Sequence, residues 1–275
     1  MKNVLLLLPL LLSHQIGQFD LWLDAGIGLV LFCLAASSVY LVNDVVDVDA
    51  DRRHPAKKRR PLAAGRISPG TLLAVAAGLS AAVLFMAWAR MPLGFVWMLA
   101  AYLILAHLYS LALKRIVLVD VFVLAVLYAS RVLAGGQATA IKISPWLLAL
   151  IIFLFVSLAF AKRCAEIRLT VDEGLPRRGY RSADLRLLEA LGVVSGYLSV
   201  LVLALYINSP AALLLYPRPW LLWPVCLLLM YWISRTWLLV QREELRDDPL
   251  VFFSKDPVSY VLGVLTAVLG VAASL

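Results

Sequence analysis

Between Leu41 and Gly65 the chain reads LVNDVVDVDADRRHPAKKRRPLAAG, and its acids carry the first chemical signal. Asp44, Asp47 and Asp51 recur at i, i+3 and i+7, so a helix continued through this segment places three carboxylates on one face. Asn43, one turn before Asp47, joins that face, whereas Asp49 projects elsewhere. Magnesium is a hard cation that takes oxygen ligands and commonly uses one or two protein carboxylates together with phosphate oxygens and water. The stripe therefore suits a magnesium-diphosphate complex, with Asp44, Asp47 and Asp51 as metal ligands and catalytic groups. The plainer alternative is a solvated helix end whose acids offset the bases beside it.

Those bases are Arg52, Arg53, His54, Lys57, Lys58, Arg59, Arg60 and Arg66, broken by Pro55 and Pro61. Arginine grips phosphate through paired hydrogen bonds and lysine acts as a point charge. His54, Lys57 and Arg60 are candidates for a phosphate clamp, although a short loop anchoring a membrane protein demands some of this charge by itself.

Further along, Tyr109 and Lys114 sit at one predicted helix end, where a phenol and an ammonium at the same depth can both reach phosphate oxygens. An interfacial tyrosine and a snorkelling lysine are the bland reading. Lys162, Arg163 and Glu166 form a second cluster, with i, i+3 and i, i+4 spacings that also fit a surface ion pair. Asp120 and Arg131 fall inside a predicted span, where an ionisable group costs about 2.5–3.5 kcal/mol on insertion scales and faces the bundle interior or a cavity. Eleven residues apart, they cannot pair with each other, so each is expected to find a partner on another helix. Arg235, in a later span, either snorkels or joins the cavity. The Asp247-Asp248 and Lys255-Asp256 pairs near the end add a local excess of acid with a weaker claim to metal binding.

The elements that must position these groups follow from composition. Of 275 residues 63% are hydrophobic and 15% charged, and the mean hydropathy is +0.91. Soluble chains are about 45–50% apolar and about 25% charged, so a soluble domain is excluded. Cys33, Cys164 and Cys226 offer neither a disulfide scaffold nor metal-thiolate spacing. A span needs about 20 apolar residues. Apolar runs at 4–17, 21–42, 68–89, 92–112, 118–136, 144–161, 188–208, 219–240 and 257–274 therefore predict an all-α, polytopic membrane bundle of nine helices in a single domain, 1–275. The first run resembles a signal-peptide core behind Lys2 but lacks a small-x-small cleavage site, and is expected to be retained.

With the amino terminus inside, the cytoplasmic segments collect 20 of the 25 Lys and Arg residues, the opposite face holds Arg90, Lys142 and Arg218, and Arg131 and Arg235 lie within spans. This bias agrees with the positive-inside rule. It places all the chemical clusters except the intramembrane pair on the cytoplasmic side, as in a bacterial inner-membrane protein. The net charge of +8 is then a topology signal and an affinity for anionic membrane lipids, with no call for nucleic acid.

The N-D-x-x-D-x-x-x-D string from Asn43 to Asp51, at the end of the second helix of such a chain, resembles the first aspartate-rich motif of the UbiA superfamily of intramembrane prenyltransferases. Its continuation from Asp51 to Gly65, D-x-x-H-P-x-K-x-x-R-P-x-A-x-G, is similar to the branch that contains decaprenyl-phosphate phosphoribosyltransferases. The Y-S-x-x-x-K segment of Tyr109 to Lys114 recurs in the superfamily at the same place in the helix order. Members that ionise a prenyl diphosphate carry a second aspartate-rich motif where this chain has Lys162-Arg163-x-x-Glu166, and similar K-R-x-x-E segments mark the phosphoribosyltransferase-like branch.

The resemblance implies a UbiA-like bundle and a magnesium-dependent transferase acting on a polyprenyl phosphate or diphosphate, with a soluble phosphorylated or aromatic co-substrate. In the leading expectation a polyprenyl monophosphate attacks phosphoribosyl diphosphate. The sugar diphosphate rests on the magnesium of Asp44, Asp47 and Asp51, Lys57 and Arg60 neutralise the leaving group, and Lys162 and Arg163 orient the lipid phosphate. The alternative is a prenyltransferase moving a polyprenyl group from its diphosphate to an aromatic acceptor such as 4-hydroxybenzoate, with Tyr109 shielding the allylic cation. A transporter or flippase would account for Asp120 and Arg131. It fits less well, because no internal repeat is evident.

Overall fold

The computed structural model describes residues 2–13, 15–53, 57–173, 179–245 and 248–275, and among the described residues there is no β-strand. The helices are α1 (Leu8–Leu12), α2 (Phe19–Val46), α3 (Val48–Arg53), α4 (Pro69–Arg90), α5 (Leu93–Leu111), α6 (Val119–Ala138), α7 (Pro145–Glu173), α8 (Leu185–Ile207), α9 (Pro210–Leu215), α10 (Trp223–Gln241), α11 (Pro249–Phe253) and α12 (Pro257–Ser274). Several starts are written as a short polar residue followed by proline. Ser68, Ser144 and Asp256 each accept a backbone N–H from the residue three positions on, and Pro69, Pro145 and Pro257 follow them. Proline costs nothing at the first helical position, because that N–H has no partner within the helix.

Eight helices among the described residues are long and apolar enough to cross a membrane, and they coincide with eight of the nine expected runs. The remaining run, expected at 4–17, is a 3-10 turn over Lys2–Leu7 leading into α1, and Lys2–Leu12 falls short of the spanning helices. Pro9 removes a backbone donor within it, and the hydroxyl of Ser13 bonds the carbonyl of Leu10 at its end.

Two helices outlast the roughly 20 residues that a bilayer needs. The 28-residue α2 carries Asn43 and Asp44 on its last turn, and the 29-residue α7 carries Lys162, Arg163 and Glu166 as helical residues where a loop was expected from 162. The break at Asp47 between α2 and α3 is slight. Asp47 N–H still bonds Asn43 O and Asp51 N–H bonds Asp47 O, both at 2.9 Å, so helical pairing continues through the acidic motif.

Contacts divide the chain into two compact units, one of residues 3–123 and 130–143, the other of 1–2, 124–129 and 144–275. In the first, α2 packs on α4 and α5. Gly28 lets Phe95 and Ala138 approach α2, and the rings of Phe32 and Tyr102 meet 4.4 Å apart. A side chain at Gly135 would put its Cβ 1.9 Å from the carbonyl oxygen of Leu6, so only glycine admits that approach.

In the second unit, Gly192 and Gly196 of α8 face Trp237, Phe160, Ile233 and Ser157, where a Cβ would come within 2.2 and 2.7 Å of the nearest atom. Lipid tails supply no hydrophobic drive between helices, so this close small-residue packing is what holds α7, α8 and α10 together. The apolar side chains of α12 are mostly exposed, as suits a lipid-facing helix.

Candidate active site

In the first unit the acidic motif resolves into two pairs, each closed by its own cation. Arg60 Nη1 donates to Asp44 Oδ1 at 2.6 Å and to Asp51 Oδ2 at 2.8 Å. Lys114 Nζ donates to Asp47 Oδ1 at 2.6 Å and to Asn43 Oδ1 at 3.0 Å. The i, i+7 residues share one row and the i, i+4 residues another, so the expected single stripe divides along the two periodicities of the helix. Asn43 does join Asp47, as the spacing requires. Asp49 instead faces Arg52 on the exposed side, at 3.4 Å.

Burial sharpens this arrangement. Asp51 and Lys114 are buried, whereas Asp44 and Asp47 are only partly covered. Among the described groups of these two networks, three carboxylates meet two cations. Among the described residues no three His, Cys, Asp or Glu side chains converge tightly enough to enclose a metal on their own. The donor set nevertheless fits magnesium, because Asp44 and Asp51 turn hard oxygens toward one positive centre, and this ion commonly completes its shell with phosphate and water.

Arg131, in the same unit, is buried in α6, and its partners include neutral groups. Its Nε donates to Asn3 Oδ1 at 3.0 Å and its Nη2 to the Tyr102 hydroxyl at 3.2 Å, while the guanidinium lies over the rings of Tyr102 and Phe32 at 5.1 and 5.8 Å. As expected, it is served by other elements. Asp120 is fully buried on the first turn of α6. Tyr109 is half-buried on the last turn of α5. His54 lies outside the described residues, as does the side chain of Lys57, whose backbone forms a 3-10 turn with Lys58 and Arg59.

The second unit holds a cluster of opposite balance. Arg163 pairs with Glu166 one turn on and lies over the Tyr180 ring at 5.7 Å. Lys162 turns instead to Asp248, donating to Oδ2 at 2.9 Å. The same oxygen accepts from Lys2 Nζ at 2.6 Å and from the Tyr128 hydroxyl at 3.3 Å. Burial raises the pKa of the Asp248 carboxyl, but the ammoniums of Lys162 and Lys2 outweigh it and hold the group at about 2. Asp248 is therefore an anion at neutral pH.

In the sequence Lys2 stands out as the basic residue before the first apolar run, and Tyr128 carries no signal. Residues 2, 128, 162 and 248 have no spacing to betray them. Asp247 lies outside the described residues. Arg235 forms a two-point salt bridge with Asp256 at 2.7 and 2.9 Å, and Asp256 also caps α12, so the pair accounts for both residues structurally.

Helices long and apolar enough to cross a bilayer, with carboxylate and ammonium clusters at the ends of the two longest, mark an integral membrane protein whose charged groups gather at helix ends. Residues 4–255 match the UbiA prenyltransferase family, and the chain belongs to it. It is 34% identical to the uncharacterized protein y4nM of Sinorhizobium fredii over 97% of this chain and 52% of that one, so it spans about half of that relative's length. It is 31% identical to the nodulation protein NoeC of Azorhizobium caulinodans, over 100% of this chain and 88% of that one. With the decaprenyl-phosphate phosphoribosyltransferase of Mycobacterium tuberculosis it shares 35% identity over 70% of this chain and 67% of that one, which supports the branch suggested by the motifs. A solved UbiA homolog from Archaeoglobus fulgidus, bound to DMAPP and Mg2+, superposes with a TM-score of 0.64 at 18% identity, covering 99% of each chain, and shares the fold.

Proposed function

We propose that this protein is a polyprenyl-phosphate phosphoribosyltransferase. It acts at the cytoplasmic face of a bacterial inner membrane, transferring 5-phosphoribosyl from phosphoribosyl diphosphate to a polyprenyl monophosphate. The observation that carries the reading is the Lys162-Arg163-Glu166 cluster, cationic on balance, on a helix where a prenyl-diphosphate enzyme would want a second acidic group. Identity to the mycobacterial decaprenyl-phosphate phosphoribosyltransferase supports it independently.

In this scheme Asp44, Asp47 and Asp51 hold magnesium with the sugar diphosphate, and Asn43 and Lys114 orient Asp47. Magnesium held by these carboxylates would supply positive charge to offset the negative charge that grows on the leaving diphosphate. Arg60 and Lys57, with His54, take up the remaining negative charge. Lys162 and Arg163 fix the lipid phosphate, and Glu166 holds the Arg163 guanidinium in place. The bond from the ribose anomeric carbon to the diphosphate breaks while a lipid phosphate oxygen forms the new bond to that carbon. The protein contributes positioning and charge stabilisation to the oxocarbenium-like state between. Asp120 and Arg131 are proposed to line the polyprenyl cavity, with Tyr109 at its mouth.

The test is a transfer assay on the purified chain in liposomes with magnesium. One arm pairs radiolabelled phosphoribosyl diphosphate with a polyprenyl monophosphate, the other a polyprenyl diphosphate with an aromatic acid. Label in a phosphoribosyl lipid, abolished by Asp47→Ala, is the expected result. A prenylated aromatic would instead put the lipid diphosphate on the aspartates and overturn the roles given to Lys162, Arg163 and Glu166.

A further inference from the structure

We infer that Lys2 and Tyr128 join Lys162 in seating the phosphate monoester of the lipid substrate, and that Asp248 is the positioning residue that assembles this seat. The inference rests on the phosphoribosyltransferase reading for the identity of the lipid, and on the geometry of the second unit for the site itself.

Two ammoniums and a phenol converge on one carboxylate: Lys2 at 2.6 Å, Lys162 at 2.9 Å and Tyr128 at 3.3 Å from Asp248 Oδ2, with Tyr128 3.5 Å from Oδ1. Donors aimed at one oxyanion lie within reach of a second bound beside it. Each ammonium carries three N–H donors and can serve more than one oxygen, and a tyrosine hydroxyl can also accept. The lysine ammonium also stands 5.6 Å from the centre of the Tyr128 ring, and Phe155 packs on that ring at 5.2 Å, which holds the phenol in place.

Charge gives the site its preference. Two lysines brought to one oxygen repel each other; Asp248 offsets the repulsion between them, and Glu166, itself paired with Arg163, also acts on Lys162. The cluster still keeps an excess of positive charge. The side chain of Asp248 is 13% exposed while those of Lys2 and Lys162 are 21% and 22% exposed, so the cations are its more open members. A phosphate monoester carries a charge of about −1.5 to −2 at pH 7 and three terminal acceptor oxygens, enough to engage both ammoniums and the phenol at once. Neutral polyprenol offers none of this, and the acid-rich motif around Asp44 has the opposite balance.

The experiment is direct binding to the full chain in nanodiscs, with polyprenyl monophosphate, polyprenol, inorganic phosphate and phosphoribosyl diphosphate as separate probes, for the wild type and the variants Lys2→Gln, Asp248→Asn and Asp248→Glu. Charged hydrogen bonds of this kind are worth enough that Lys2→Gln and Asp248→Asn should each weaken polyprenyl monophosphate binding about tenfold. Asp248→Glu should restore affinity to within about threefold, a rescue that a purely structural role would not give. Polyprenol and phosphoribosyl diphosphate should bind all variants as they bind the wild type, which also shows that the variants are folded.

Unchanged affinity for the lipid phosphate, or tighter binding by Asp248→Asn, would overturn the inference. So would a loss confined to phosphoribosyl diphosphate or to inorganic phosphate, since the seat would then belong to a soluble anion. Absence of phosphoribosyl transfer by the wild type would sink the functional reading alone, because binding is measured without turnover.

Discussion

The two charged clusters are near inversions of each other. Around the acidic motif, three carboxylates and an amide surround two cations, Arg60 and Lys114. Around Asp248, one carboxylate gathers two ammoniums and a phenol. In the proposed reaction the first would serve a metal and the second a phosphate. A transferase with two phosphate-bearing reactants needs both kinds of seat, because one arrives as a metal complex and the other as a bare anion. The difference teaches that the sign of the charge balance among the described groups is the feature on which the proposed division of reactants depends.

The contrast is broken most severely at the acidic end. Asp47→Ala, or removal of magnesium by a chelator, is expected to lower transfer on the order of 10³-fold, since metal charge stabilisation is worth several kcal/mol. Steady-state rates across a magnesium titration check this, and a variant that keeps wild-type rates would remove the metal from the scheme. Next in size, Lys162→Gln should weaken the lipid phosphate about 10- to 100-fold and leave the KM for phosphoribosyl diphosphate unchanged. If both reactants weaken together, the two clusters do not divide the work.

Arg60→Gln sharpens the comparison further. It should cut kcat about tenfold through lost leaving-group charge, while lowering the magnesium concentration needed for half-maximal rate, because the guanidinium lies between the two carboxylates that the metal would use. A rise in the magnesium requirement would mean that Arg60 supports the metal site and does not compete for it.

The smallest effect concerns pH. The Asp248 carboxyl is lowered from 3.8 to about 2, so it is an ionised partner in the folded protein and its contribution is fully present above about pH 4. That contribution is lost only as pH falls from there through 2. Lipid-phosphate affinity should show no inflection from Asp248 between pH 5 and 8, and a step near pH 6 belongs to the second ionisation of the phosphate, whose pKa is about 6. Binding measured across that range on Asp248→Asn should show the same step. Its disappearance in the variant would mean that Asp248 itself titrates there.

The acidic cluster was readable because its residues are neighbours in sequence. Asp44 and Asp51 meet through helical spacing alone, and Asn43 and Asp47 through one turn of it. Their cations are less obvious: Arg60 follows the motif closely, but Lys114 belongs to the turn after α5 and was suggested by the family pattern. The Asp248 cluster illustrates the opposite limit. Its members come from four separate segments, and only tertiary packing brings Lys2, Tyr128, Lys162 and Asp248 together. Eight spans were visible as apolar runs, because lipid demands continuous hydrophobicity. The first run is present as the short apolar stretch Lys2–Leu12, closed at Ser13, beside the eight longer helices. The course of α7 beyond residue 161 was half legible: the i, i+3 and i, i+4 spacings of Lys162, Arg163 and Glu166 fitted a helix, while polar residues past the apolar run read as a loop.

Arg131 also constrains how the protein is made. The α6 helix carries a buried aspartate and a buried arginine, and it is the most enclosed of the eight spans. Set alone in lipid as it leaves the insertion machinery, it would expose a guanidinium whose companions, Asn3, Phe32 and Tyr102, come from three other segments. All three precede it in the chain and are synthesised first. The order of synthesis thus has its binding partners waiting, and α6 can leave the translocon by docking onto helices already in the membrane.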